Sequence, residues 1–140
     1  MRYGEWIGRI ALAVIFLLNG LGIVDQSRPA QELVAHGTPV ALVLLVIIAG
    51  RVVQTAAGIA LAVGWYERVA ALCLAAFLVP ATLAAHDFWA YRGAEQQGQL
   101  VNVLKNLAMF GGLCFVAFRN TPAGKEASSE RVQASDYLTV

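Results

Sequence analysis

Four apolar runs divide this chain, each close to the length of a bilayer crossing, and the stretches that join them are short. About 20 apolar residues cover the ~30 Å of bilayer hydrocarbon, where only a helix or a closed barrel satisfies every backbone polar group. The runs extend from Trp6 to Val24, Val40 to Gly64, Val69 to Ala85 and Leu100 to Phe118. They predict an all-α fold: an integral membrane four-helix bundle forming one domain over residues 1–118. Residues 119–140 are polar, cannot bury a core, and are expected to form a mobile tail. Composition agrees with lipid as the solvent, since charged residues make up 14% of the 140 against about 25% in soluble domains. A net charge of +1 and the lack of a basic run exclude a nucleic-acid surface.

The joining stretches set the topology. The first run keeps its charges at its start, and Asn19-Gly20-Leu21-Gly22 follows it where a signal peptidase would need small residues, so it reads as a retained span. Between Asp25 and Pro39, residues 30–36 have room for two helical turns closed by Gly37, lying along the membrane surface. Gly64-Trp65-Tyr66-Glu67-Arg68 is short enough to make the second and third spans an antiparallel hairpin. Arg2, Arg9, Arg68, Arg119, Lys125 and Arg131 belong to one face, Arg28 and Arg92 to the other. That bias predicts both termini in the cytoplasm, and an inner (plasma) membrane location if the source is bacterial.

Within the spans, small and polar residues mark where helices meet. Gly50, Gln54 and Gly58 recur every four residues, a close-packing seam with an amide at its centre. Gly111-Gly112 offers the last span a second close approach, and Pro80 should bend the third, with Thr82 placed to help the freed carbonyl. Cys73 and Cys114 lie in apolar runs without a CxxC pair and read as small buried hydrophobes.

Polar residues also gather at one depth. Asn102, Lys105 and Asn106 share a face near the start of the last span, Asn19 lies about as deep in the first, and Thr82 and His86 close the third. Arg51, near mid-membrane, costs at least about 2.5 kcal/mol unless it faces the bundle interior, a wet cavity or a partner. The expected site is a pocket open to the outer face, roofed by Phe88, Trp89 and Tyr91. Its ligand-binding residues are Asn19, Arg51, Gln54, His86, Asp87, Trp89, Asn102, Lys105 and Asn106. Two readings of its charge stay open. In one, Lys105 pairs with Asp87 or Glu95 and clamps the loop to the bundle; in the other, the cations hold an anionic or carbonyl-bearing ligand. No nucleophile–base pair and no metal cluster stand out, so neither catalytic residues nor a metal site are assigned.

The order of HDFW at residues 86–89, then Gln96, Gln97 and Gln99, then Val101-Asn102, Leu104-Lys105-Asn106 and Gly111-Gly112 resembles the DoxX family of small four-span membrane proteins. Gly8-Arg9 and Asn19-Gly20-Leu21-Gly22 extend the likeness, which runs from about Gly8 to Ala117. Two positions depart from it: Ile23 stands where the family often has lysine, and Gln54 where it often has glutamate. Losing both charges together is what a lysine–glutamate pair predicts, and it removes any proton-handling role tied to that glutamate. The resemblance implies a membrane subunit of an oxidoreductase system, with quinone as its ligand, no intrinsic cofactor and no catalysis of its own. Its partners would be the lipid bilayer, an oxidoreductase subunit or further copies of the chain. A small transporter or lipid-handling bundle, gripping an anionic head group through Arg51 and Lys105, is the alternative.

Overall fold

The structure is a computed structural model and describes residues 2–25 and 27–119; all but the first residue of the expected tail therefore lies outside it. Five α-helices follow one another: α1 (Arg2–Gly20), α2 (Ser27–Ala35), α3 (Val40–Val63), α4 (Glu67–Ala85) and α5 (Gly93–Phe118), with a 3-10 turn at Phe88–Ala90 before α5. Three of them, α3, α4 (taken on through that turn to Ala90) and α5, are long and apolar enough to cross a membrane. α1 is the fourth long helix; Glu5 and Arg9 occupy its early turns and shorten its apolar part. The all-α membrane bundle expected from the sequence is what forms.

Packing runs from α1 to α3, α3 to α4 and α4 to α5, with a narrower contact closing α5 onto α1, while α2 lies across α3 and α4. The ends of α1 and α5 that meet through Glu5 and Arg119 define a terminal face; α2 and the 3-10 turn define the opposite, loop face. Small residues set the approach distances, as their spacing suggested. A Cβ on Gly58 would sit 3.0 Å from Leu17 Cδ2, one on Gly50 3.1 Å from the Phe77 ring, and one on Gly112 3.0 Å from Leu12 Cδ2. Gly111 faces open space, so only one of that glycine pair packs a helix.

α1 is shorter than the apolar run. It stops at Gly20 rather than Val24, because Gly22 takes φ +75 and the chain closes on itself. Ile23 N–H donates to Leu18 O at 2.9 Å and Gly22 N–H to Asn19 O at 3.0 Å, the paired bonds of a glycine C-cap. Gly20 packs onto Thr55, and α3 continues from there towards the loop face for roughly 22 Å at about 1.5 Å per residue. Over residues 40–46 of that extension only Val43 is buried. The hydrophobic core therefore sits in the terminal-face half, built from residues such as Phe16, Leu61, Leu74 and Leu113.

The connections behave largely as read. The surface piece forms α2, starting earlier than residue 30; Ser27 donates its hydroxyl and N–H to Asp25 at 2.7 and 2.9 Å and holds that carboxylate below its ordinary range. Its end closes at Gly37, with Thr38 N–H on Leu33 O at 3.0 Å. Three expectations fail. Gln96, Gln97 and Gln99 are helical, because α5 begins at Gly93 rather than Leu100. Thr82 bonds Leu78 O at 2.7 Å, its own preceding turn, and not the carbonyl that Pro80 leaves free. Cys73 is exposed and Cys114 half-buried, both as free thiols, so neither is a core residue.

Candidate functional site

Beyond the apolar core, what is buried between α4 and α5 changes character. Thr82 on α4 and His86, the residue that caps it, lie four apart, and Gln99, Asn102 and Asn106 recur at helical spacing on α5, so each set shares one side. Antiparallel packing then brings them level in pairs. His86 Nδ1 meets Gln99 Oε1 at 2.8 Å, and Asn106 Nδ2 donates to Thr82 Oγ1 at 2.9 Å. Gln99 is 6% exposed, so its amide is a structural part of this seam. Burial without partners would cost about 1–3 kcal/mol per group, and the pairs remove most of that cost.

Above the seam the chain leaves α4 and turns. Ala90 N–H donates to Asp87 O at 2.8 Å, Phe88 meets Trp89 edge-on with ring centroids 5.2 Å apart, and Arg92 donates to Tyr91 O at 3.0 Å. Phe88 and Tyr91 are half-buried and Trp89 is exposed. Asp87 Oδ1 is buried with no hydrogen-bond partner, which leaves an acceptor over the end of the seam.

A second polar group lies where α1 ends against α3. Arg51 is half-buried, and a Cβ on Gly22 would stand 3.3 Å from its Cζ and Nη1. Glycine is needed at that position on two grounds: the left-handed backbone, and the room the guanidinium occupies. A cation there faces the negative end of the α1 dipole, worth about 0.3–1 kcal/mol near a surface and more where solvent is excluded. Yet Arg51 Nε is buried without a hydrogen-bond partner. Gln54, one turn away, is 5% exposed beside Gly50, and Asn19 is half-buried in the last turn of α1.

The nine expected site residues thus fall on two seams and a loop. His86 and Asn106 take part in the α4–α5 seam, with Asn102 half-buried on the same face of α5. Arg51, Gln54 and Asn19 belong to the α1–α3 side, and Asp87 and Trp89 to the turn. Lys105 corrects the reading that it clamps the loop. It lies exposed on α5 and forms no ion pair with Asp87 or Glu95 among the described residues. The reason is geometric: Asn106 reaches Thr82 on α4, and the residue just before it in the helix is turned about 100° aside.

Two features escaped the sequence reading. Gln99 is one, although its i, i+3, i+7 relation to Asn102 and Asn106 was visible. The other is a charge cluster on the terminal face: Glu67 accepts from Arg9 and from Arg119 Nη2 at 2.6 Å, and Glu5 pairs with Arg119 at 3.3 Å. In the sequence Arg9 and Arg119 read as topology signals, Arg9 also as part of the family likeness, and neither as a member of a charge cluster. Chemically, the loop-face groups are donors and acceptors suited to a carbonyl, hydroxyl or anionic ligand. Among the described residues no three histidines, cysteines or carboxylates are grouped to hold a metal.

A family model described as DoxX matches residues 4–87, which runs from the first turn of α1 through α4 and ends before the turn into α5. No curated protein and no solved structure matches the chain.

Proposed function

The chain belongs to the DoxX family, and from that premise we propose that it is a membrane subunit that holds a quinone head group in its loop-face half. The observation that carries the reading is Arg51, a half-buried cation at the depth where α1 ends, whose Nε has no partner. A guanidinium left with free donors inside a bilayer costs several kcal/mol unless a ligand or partner takes them. A quinone head group supplies two carbonyl oxygens for such donors, and the family likeness supports redox chemistry as its setting. Its isoprenoid tail needs a route from lipid, and α1 stops short of the loop face on α3, leaving that route uncovered by α1.

In this reading Arg51 and Asn102 donate to the ligand, Gln54 and Asn19 line the approach, and the His86–Gln99 and Asn106–Thr82 pairs fix the opposite wall. Asp87 and Trp89 close the loop-face end. Lys105 stands outside the pocket and offers its charge to an oxidoreductase partner or a lipid. On the same reading the protein works in a bacterial inner membrane, binds and positions, and leaves electron transfer to that partner. The absence of any carboxylate beside Arg51 among the described residues also favours a second ligand class, an anionic head group handled by a small transporter.

Trp89 provides the test. Titrating the purified protein with a short-chain benzoquinone should quench tryptophan fluorescence saturably, and replacing Trp89 by Phe should remove most of the saturable part. Arg51→Gln should weaken the apparent affinity about tenfold, the loss expected for one charge-assisted hydrogen bond. Quenching that stays linear and equal in wild type and Arg51→Gln overturns the proposal.

A further inference from the structure

On the terminal face, away from the loop-face seams, Arg9, Gly64, Tyr66, Glu67, Arg68 and Val69 line a cleft of about 460 Å³. Two arginines line it, and a third, Arg119, reaches its Glu67. Arg9 and Arg119 occupy the two oxygens of Glu67, and Arg68 Nε donates to Ala117 O at 2.9 Å. Against Arg9, Arg68 and Arg119 stand only Glu5 and Glu67, so the described cluster carries one positive charge in excess. Arg9 Nε is buried with no partner. The Arg68 side chain is bound through its Nε alone, which leaves its terminal nitrogens without a partner among the described residues.

The cleft is also shaped for the membrane boundary. Gly64, at φ +81, leaves the space into which the Arg9 guanidinium folds; a Cβ there would meet Arg9 Cζ at 3.1 Å. Trp65 and Tyr66 stand exposed beside it with ring centroids 5.4 Å apart, the residue types that settle at head-group depth. Val69, 57% exposed, continues the wall into the apolar face of α4. Cations with spare donors, interfacial aromatics and an apolar wall in one cleft match the three parts of an anionic phospholipid: phosphate, glycerol and acyl chain.

We propose that this cleft binds the phosphate of an anionic phospholipid from the leaflet at the terminal face. Arg68 is the residue to change, because its loss spares the Arg9–Glu67–Arg119 links that hold three helices. The full chain in neutral phosphatidylcholine–detergent micelles is titrated with phosphatidylglycerol while its thermal unfolding is followed. Wild type should gain stability saturably, and Arg68→Gln should need about tenfold more phosphatidylglycerol for the same gain. Arg92→Gln, which removes a like charge at the loop face, should respond as wild type does. Equal weakening in both variants overturns the site in favour of bulk charge. An equal gain from inorganic phosphate at matched ionic strength overturns the lipid as its source.

Discussion

At the scale of single residues, Glu67 shows how a charge is kept near a membrane boundary. Its side chain is 13% exposed and contacts both Arg9 and Arg119, so one carboxylate joins α1, α4 and the end of α5. Removing one partner of a buried ion pair strands the other charges and typically costs about 3–5 kcal/mol. Because the cluster retains some solvent, Glu67→Gln should sit near the lower end, roughly 3 kcal/mol. Thermal unfolding in detergent measures it. The double variant Arg9→Gln/Glu67→Gln should lose clearly less than the sum of the single losses; additive losses would show that the pair is not coupled.

At the scale of helices, glycines decide how closely α1 and α5 approach their neighbours. A Cβ on Gly20 would lie 2.8 Å from Thr55 N and 3.0 Å from Arg51 O, both backbone atoms that cannot turn aside. Gly20→Ala should therefore destabilise by at least about 1–3 kcal/mol and tilt α1 off α3, with the Arg51 environment disturbed. Gly111 is the control: with nothing within 4 Å of its added Cβ, Gly111→Ala should be neutral or stabilise α5 by up to about 1 kcal/mol. Thermal unfolding of the two variants in one detergent separates them, and equal losses would contradict the close approach of α1 to α3.

The seam between α4 and α5 is set partly by helical spacing and partly by how the two helices meet. Helical periodicity correctly put Asn102 and Asn106 on one face, and His86 with Thr82 on another. It put Lys105 on that face too, whereas Lys105 sits at its edge and the direction in which α5 meets α4 leaves it exposed. Reading α5 as starting at Leu100 also hid Gln99, although a polar residue on the buried face of a membrane helix marks a hydrogen-bonded contact. The Arg9–Glu67–Arg119 cluster was hidden for a different reason. Its members are 58 and 52 residues apart in the chain, and only the closing of the bundle makes them neighbours.

For the whole molecule, the even number of long helices and the Glu5–Arg119 pair bring both ends of the described chain to one face. The distribution of basic residues predicts that this face is the cytoplasmic one. Single cysteines introduced at Trp65 and Arg92, in a background lacking Cys73 and Cys114, should react with a membrane-impermeant reagent from opposite sides, Trp65→Cys from the cytoplasm. Labelling of both from one side would contradict the topology. The architecture was readable because lipid permits so few solutions for long apolar runs. The site was only half readable, because the division between an apolar terminal-face half and a polar loop-face half depends on where α1 stops, and one glycine turn sets that.

Arg51, whose buried Nε has no hydrogen-bond partner, is proposed to mark a ligand site in the loop-face half, and what travels with the protein tests it. Native mass spectrometry of the chain extracted gently from its own membrane, wild type beside Arg51→Gln, reads this. A quinone mass on the wild type that is lost from Arg51→Gln is the expected result. A phospholipid mass lost in the same way would instead assign the site to an anionic head group. Wild type and variant that both emerge bare, or that carry the same mass to the same extent, would contradict a ligand site at Arg51.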